Sequence, residues 1–105
     1  MLALFLRYTI DPNKLDDFLE YVKLEQQAIT ESGGKIVGYY IPTDYAGNTN
    51  EGYGLIDIAM DDYDTYRKTL ADHPLHKENA ARLERSGALV SIYRSFIQRV
   101  PPSAS

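Results

Sequence analysis

The sequence lacks cysteine entirely. That absence excludes disulfides, thiolate metal sites, iron–sulfur clusters and a cysteine nucleophile. Histidine is scarce too, with only His73 and His76 on either side of Pro74. A metal site would therefore have to draw on carboxylates, and we predict neither a metal nor a cofactor.

Long apolar runs and an excess of positive charge are also missing. No segment approaches the roughly 18 consecutive apolar residues that a membrane span requires, so we expect no membrane association. The first residues, MLALFL, are too short for a signal-peptide core, and Arg7 follows them directly. The net charge of −4 argues against nucleic-acid binding. We therefore predict a cytoplasmic protein.

Along the chain, the spacing of the apolar residues changes between the two-residue period of strands and the roughly 3.6-residue period of helices. They predict strands over residues 2–10, 35–42, 53–60 and 89–100. A helix separates the first two strands, and a helix broken at His73-Pro74 precedes the last. Local signals mark the helix ends: we expect N-caps at Asp11 and Asp61-Asp62, and glycine stops at Gly33-Gly34 and Gly87.

This β-α-β-β-α-β order predicts an α+β fold of the ferredoxin-like type, with both helices on one face of a four-stranded antiparallel sheet. A single domain would cover residues 1–100, followed by a flexible tail, 101–105. The first strand is apolar on both faces, and no segment remains to cover the second face. We therefore predict a homodimer packed through the sheet face as a dimeric α/β barrel.

Several short motifs resemble the NIPSNAP family. These are GGKIVGYYIP at 33–42, Tyr66-Arg67 with Leu70, Asp72-His73-Pro74, Glu78-Asn79-Ala80 and Arg94-Ser95-Phe96. The similarity extends over residues 6–100. It implies the dimeric α/β-barrel version of the ferredoxin-like fold and no particular reaction.

The nine tyrosines suggest a site for a ligand. Tyr39 and Tyr40 must point to opposite faces of their strand. One of them would lie beneath the helices, where further tyrosines could line a cavity for a small, flat hydrophobic or aromatic ligand. Plain core packing is the alternative. The candidate ligand-binding residues are Gly38, Tyr39, Tyr40, Tyr53, Tyr66, His76 and Asn79.

Gly38 is a candidate because a glycine within a strand leaves a dimple. Strict alternation would place it on one face with Ile36 and Tyr40. Either a facing side chain or a ligand would fill the dimple.

Three charged residues, Arg7, Asp57 and Arg94, fall within apolar strand segments. A buried charge needs a partner, and the usual strand order makes the strands of Arg7 and Asp57 neighbours. We predict a cross-strand Arg7–Asp57 pair. The three residues would form either an ion pair at the dimer interface or a contact for an anion.

The sequence leaves three functions open. The first is a homodimeric binding protein with a small-molecule pocket and no assignable reaction. The second is a cofactor-independent monooxygenase or isomerase acting on an aromatic or conjugated substrate, which rests on fold analogy. The third is a purely structural role, in which the sheet face serves only as an assembly surface. His76 could act as a general base, although the sequence assigns no catalytic residue and does not say whether loop 43–52 forms a lid.

Overall fold

The computed structural model describes residues 2–43, 45 and 50–103, which form an α+β fold of the ferredoxin-like type. The elements are β1 (Leu2–Ile10), α1 (Leu15–Glu31), β2 (Lys35–Tyr40), β3 (Glu51–Ile58), α2 (Tyr63–Asp72), α3 (Pro74–Ser86) and β4 (Leu89–Ile97). Short 3-10 turns, Pro12–Lys14 and Met60–Asp62, lead into α1 and α2. None of the helices in the described ranges is long and apolar enough to cross a membrane. Gly47 and Asn48 of the candidate lid, and the last two residues of the predicted tail, lie outside the described residues.

Most of the predicted helix ends are confirmed. The side chain of Asp11 accepts a hydrogen bond of 2.9 Å from the backbone N–H of Asn13, which satisfies one free donor of the first turn. The helix α1 ends before Gly33, and α3 ends before Gly87; both glycines have positive φ, 103° and 71°. His73 is extended ahead of Pro74, which separates α2 from α3.

The predicted cap at Asp61-Asp62 is wrong. The side chain of Asp62 makes no capping hydrogen bond to α2, although it is the residue before the helix. Its backbone (φ −106°, ψ 2°) continues from the preceding 3-10 turn, whereas an N-cap residue is usually extended.

The sheet has the strand order β2-β3-β1-β4 with antiparallel neighbours, as predicted. Alternate residues of β1 are buried on the inner face, the side that carries the helices. Tyr8 and Ile10 belong to this set and are 1% exposed. They share one core with Phe18 and Ile29 of α1 and with Tyr66 of α2. Both helical segments thus cover the same face of the sheet.

A bulge in β2 overturns the predicted alternation around Gly38. Ile36 pairs with Ile56 on the inner face, but the register shifts at Val37, so Gly38 pairs with Leu55 on the opposite face. Gly38 therefore shares a face with Tyr40 and not with Ile36. Because the extra residue reverses the alternation, it turns Tyr39 toward the helices.

The other side of the sheet, here called the outer face, has no helix against it within the described residues. Its apolar side chains include Tyr40, Tyr93 and Ile97, which are 58%, 52% and 43% exposed. Phe5 stacks on Tyr53 on this face, with ring centroids 6.0 Å apart. The outer face thus leaves several large apolar side chains open to solvent in a single chain, together with charged residues such as Arg7 and Lys35.

Candidate functional site

A cavity of about 360 Å³ lies between the inner face of the sheet and the helices. Its floor is apolar and consists mainly of Leu4, Leu6, Ile56 and Ile92. Five tyrosines line it, namely Tyr8, Tyr21, Tyr39, Tyr63 and Tyr66. Four ionisable side chains complete the lining: Glu25, Arg67, His76 and Arg94. An apolar chamber with a few polar groups is typical of small-molecule sites.

A buried carboxylate and an imidazole face each other in this cavity. Glu25 of α1 is only 3% exposed, and its Oε2 lies 2.6 Å from Nδ1 of His76 on α3. Because a carboxylate accepts, His76 donates its Nδ1–H to Glu25 and keeps Nε2 for another partner. Asn79 supports the pair from behind: its Nδ2 lies 3.4 Å from Oε1 of Glu25 and donates to the carbonyl oxygen of Tyr21 at 2.9 Å.

Hydroxyl groups of the tyrosines supply the other polar atoms. The hydroxyls of Tyr8 and Tyr39 are hydrogen-bonded at 2.9 Å. Burial raises the pKa of Tyr8, Tyr21 and Tyr39 well above the usual value of 10, and the negative charge of Glu25 raises the pKa further in each case. Burial likewise raises the pKa of Tyr66. These phenols stay protonated at neutral pH and can donate hydrogen bonds.

Gly54 explains how Tyr39 reaches Tyr8 although β3 lies between their strands. Tyr39 pairs with Gly54, and its ring crosses that glycine on the inner face. A Cβ at Gly54 would lie 2.7 Å from Cζ of Tyr39, closer than real contacts allow. The glycine therefore provides the space for the Tyr8–Tyr39 hydrogen bond.

The structure divides the predicted ligand residues between the two faces of the sheet. Tyr39, Tyr66 and His76 line the cavity, and Asn79 lies directly behind it. The other three, Gly38, Tyr40 and Tyr53, belong to the outer face and do not line the cavity. The ring of Tyr40 covers the dimple at Gly38, since a Cβ there would lie 2.5 Å from the Tyr40 hydroxyl oxygen.

Tyr53 makes a local contact on the outer face. Its hydroxyl donates a hydrogen bond to the carboxylate of Glu51, and this bond raises the pKa of Tyr53. The side chain takes no part in the cavity.

The predicted Arg7–Asp57 pair is not formed among the described residues. Both lie on the outer face of neighbouring strands, but Arg7 pairs with Tyr53 whereas Asp57 pairs with Ala3, four residues along β1. Arg7 instead lies over the ring of Tyr93, with its guanidinium carbon 5.0 Å from the ring centroid.

The other two charged residues are separated as well. Asp57 is 3.9 Å from a guanidinium nitrogen of Arg99. Arg94 is on the inner face, opposite Leu6, and lines the cavity. The three predicted charges therefore do not form one cluster, and Arg94 alone reaches the candidate site.

His73 and His76 have different partners. Nδ1 of His73 accepts a hydrogen bond of 3.1 Å from the backbone N–H of Leu75 and so caps α3, while Nε2 lies 2.8 Å from Glu31. His76 binds Glu25 inside the cavity. No group of three or more potential metal ligands occurs in the part of the chain that the structure describes.

Sequence reasoning missed Glu25, Tyr8, Tyr21 and Arg67 as site residues. For Glu25 a signal was available, because it follows Phe18 by seven residues and Val22 by three. These spacings place it on the apolar face of α1. A carboxylate on a buried face requires a partner, which the structure supplies as His76.

Known proteins share this fold throughout the chain. The family model described as NIPSNAP matches residues 3–104. A NIPSNAP-like domain protein from Burkholderia xenovorans is 20% identical with a TM-score of 0.76, covering 99% of this chain and 89% of that chain. A NIPSNAP family protein of unknown function from Agrobacterium tumefaciens is 17% identical with a TM-score of 0.80, covering 98% and 91%.

A characterised oxygenase has a similar fold. SnoaB, a cofactor-independent oxygenase from Streptomyces nogalater, is 16% identical with a TM-score of 0.64, and the match covers 96% of this chain and 94% of that chain. At these identities the likeness extends to the fold alone. No curated protein sequence matches the chain.

Proposed function

This chain belongs to the NIPSNAP family, and we propose that it is a homodimeric protein that binds a small ligand in the cavity beneath its helices. The cavity itself carries this proposal. Its volume of about 360 Å³ lies within the roughly 300–1,000 Å³ range of small-molecule sites. Its lining combines an apolar floor with a few polar groups that can orient a ligand.

The lining indicates the ligand's chemistry. The strands contribute aliphatic side chains and the tyrosines contribute ring faces, which together favour a flat, apolar body. The hydroxyl of Tyr66, which burial keeps protonated and which has no hydrogen-bond partner within the described residues, favours an acceptor oxygen such as a carbonyl. An aromatic or conjugated ketone has both features.

The Glu25–His76 pair supports a second candidate, a cofactor-independent monooxygenase or isomerase. Nε2 of His76 would take a proton from an acidic carbon of the ligand, breaking the C–H bond, while the electron pair moves onto the carbonyl oxygen as an enolate. Glu25 would stabilise the imidazolium at Nδ1. An isomerase returns the proton to another carbon. A monooxygenase lets the carbanion react with dioxygen, converting a methylene to a carbonyl with release of water.

One experiment tests both candidates with 2-tetralone, an aromatic ketone that carries an acidic methylene. We expect it to raise the melting temperature saturably and to lose this effect in Ala71→Trp, which places a large ring in the lining of the cavity. Hydrogen–deuterium exchange at the methylene, followed by NMR in deuterated buffer, reports proton abstraction. Deuterium exchange faster than in buffer alone would favour the monooxygenase or isomerase. Stabilisation by 2-tetralone without faster exchange would favour the binding protein. Absence of any stabilisation would contradict both.

The outer face supports the homodimer. Tyr40 at one edge of the sheet and Tyr93 and Ile97 at the other expose apolar surface on this face that a monomer would leave in water. The same surface on a second copy can cover it in a two-fold arrangement, because such an interface uses identical patches.

Sedimentation equilibrium tests the dimer. We expect a dimer mass at micromolar concentration, and a monomer mass for Tyr93→Asp, since the new carboxylate would be desolvated at the interface. Thr65→Asp adds the same charge on the exposed side of α2 and serves as the matched control. A monomeric wild-type protein, or a Tyr93→Asp variant as dimeric as the control, would refute this arrangement.

A further inference from the structure

Two guanidinium groups line the same cavity as the buried Glu25. Arg67 belongs to α2 and Arg94 to β4, and both side chains are exposed. Within the described residues, arginine forms ion pairs only at Arg82 and Arg99. The two cations of the cavity are thus free of protein carboxylates there.

The two arginines line the cavity from elements that lie beside each other. Arg67 follows Tyr63 by four residues and so lies on the same side of α2. Arg94 precedes Phe96 by two residues and shares its face of β4. The rings of Tyr63 and Phe96 are in edge contact, with centroids 4.9 Å apart. That contact places α2 beside β4, the two elements from which Arg67 and Arg94 line the cavity.

Glu25 comes from other elements of the fold. It belongs to α1 and pairs with His76 of α3, whereas the two arginines belong to α2 and β4. The cavity therefore combines a buried anion beside His76 with two cations that have no carboxylate partner within the described residues.

We propose that the ligand is an aromatic carboxylate, with its carboxylate held by Arg67 and Arg94 and its neutral end directed toward Glu25 and His76. This inference rests on the proposed function, because it concerns the same cavity. The planar donor fork of arginine fits a carboxylate in two-point contact. Repulsion by Glu25 disfavours the reversed orientation, so the charges determine which end of the ligand meets His76.

The test compares two probes of the same shape, 2-naphthoate and 2-acetylnaphthalene, by calorimetric titration. The first carries a carboxylate where the second has a neutral acetyl group. We expect 2-naphthoate to bind about tenfold more tightly, and 0.5 M salt to weaken only its binding. Arg67→Gln and Arg94→Gln should each remove most of this preference while changing the affinity for 2-acetylnaphthalene less than about twofold.

Arg85→Gln is the matched control, because Arg85 is exposed on the last turn of α3 and does not line the cavity. It should bind both probes as the wild-type protein does. Equal wild-type affinity for the two probes, or a preference that survives both cavity variants, would overturn the inference and leave the proposed function intact. Binding of neither probe would contradict the proposed function itself, and the inference with it.

Discussion

Replacing His76 with leucine is expected to lower the free energy of unfolding by about 3 kcal/mol, near the lower end of the ~3–5 kcal/mol lost when one partner of a buried ion pair is removed. Glu25 is 3% exposed and takes its shortest hydrogen bond, 2.6 Å, from His76. Without the imidazole, the carboxylate keeps a 3.4 Å contact with Asn79 and a hydrogen bond from Tyr21, but loses its shortest donor. Guanidinium unfolding followed by circular dichroism measures the change.

The chain offers its own control in the second histidine–glutamate pair. Glu31 pairs with His73 at 2.8 Å, but its side chain is 48% exposed, so Glu31→Leu should cost less than about 1 kcal/mol. A double variant, Glu25→Leu with His76→Leu, should recover most of the lost stability because the buried charge is gone. If the double variant is no more stable than His76→Leu alone, desolvation of Glu25 is not the cause.

The fold was predictable because its signals are local. Asp11-Pro12 begins a helix through contacts within three residues, and Gly33 and Gly87 end helices through their own backbone conformation. The His73-Pro74 break likewise depends on neighbouring residues. The first strand is apolar on both faces, which indicated a sheet that needs a covering layer on each face.

Side-chain placement in the sheet was less predictable because it depends on register. A glycine within a strand often marks a bulge, but Gly38 alone does not fix its position, and one extra residue at Val37 moves Gly38 to the outer face. Adjacency of β1 and β3 was predicted correctly, whereas the offset that separates Arg7 from Asp57 was not. Register depends on long-range pairing that neighbouring residues do not encode.

The contact between the two ionisable residues at the centre of the site could not be predicted from local sequence either. Glu25 and His76 are 51 residues apart in sequence, and their contact depends on the packing of α3 against α1. A buried position for Glu25 could have been read from the helix period, but its partner could not.

Raising the pH above 10 is expected to unfold the protein. Burial raises the pKa of Tyr8, Tyr21, Tyr39 and Tyr66, so at pH 11 these groups keep their protons when folded. In the unfolded chain, tyrosine loses its proton near pH 10. The unfolded state therefore binds fewer protons than the folded state above pH 10. The stabilisation from these tyrosines is fully present below pH 10 and is lost as the pH rises above it.

Each such tyrosine should cost about 1.4 kcal/mol at pH 11, one unit above the unfolded pKa. The four together remove roughly 6 kcal/mol, comparable to the whole stability of a marginal domain. Guanidinium unfolding between pH 8 and 11 measures the loss. Absorbance at 295 nm should show these tyrosines ionising together with unfolding.

Tyr66→Phe isolates the contribution of one tyrosine. The Tyr66 hydroxyl makes no hydrogen bond within the described residues, so the variant removes a titrating group and little else. Its stability should fall by about 1.4 kcal/mol less by pH 11, because one of the four buried tyrosines no longer titrates while lysine and other groups titrate alike in both proteins. An identical pH dependence in the two proteins would mean that Tyr66 ionises in the folded state. The Tyr66 hydroxyl would then lose its ability to donate a hydrogen bond in alkaline solution, and ligand binding through it would weaken before the protein unfolds.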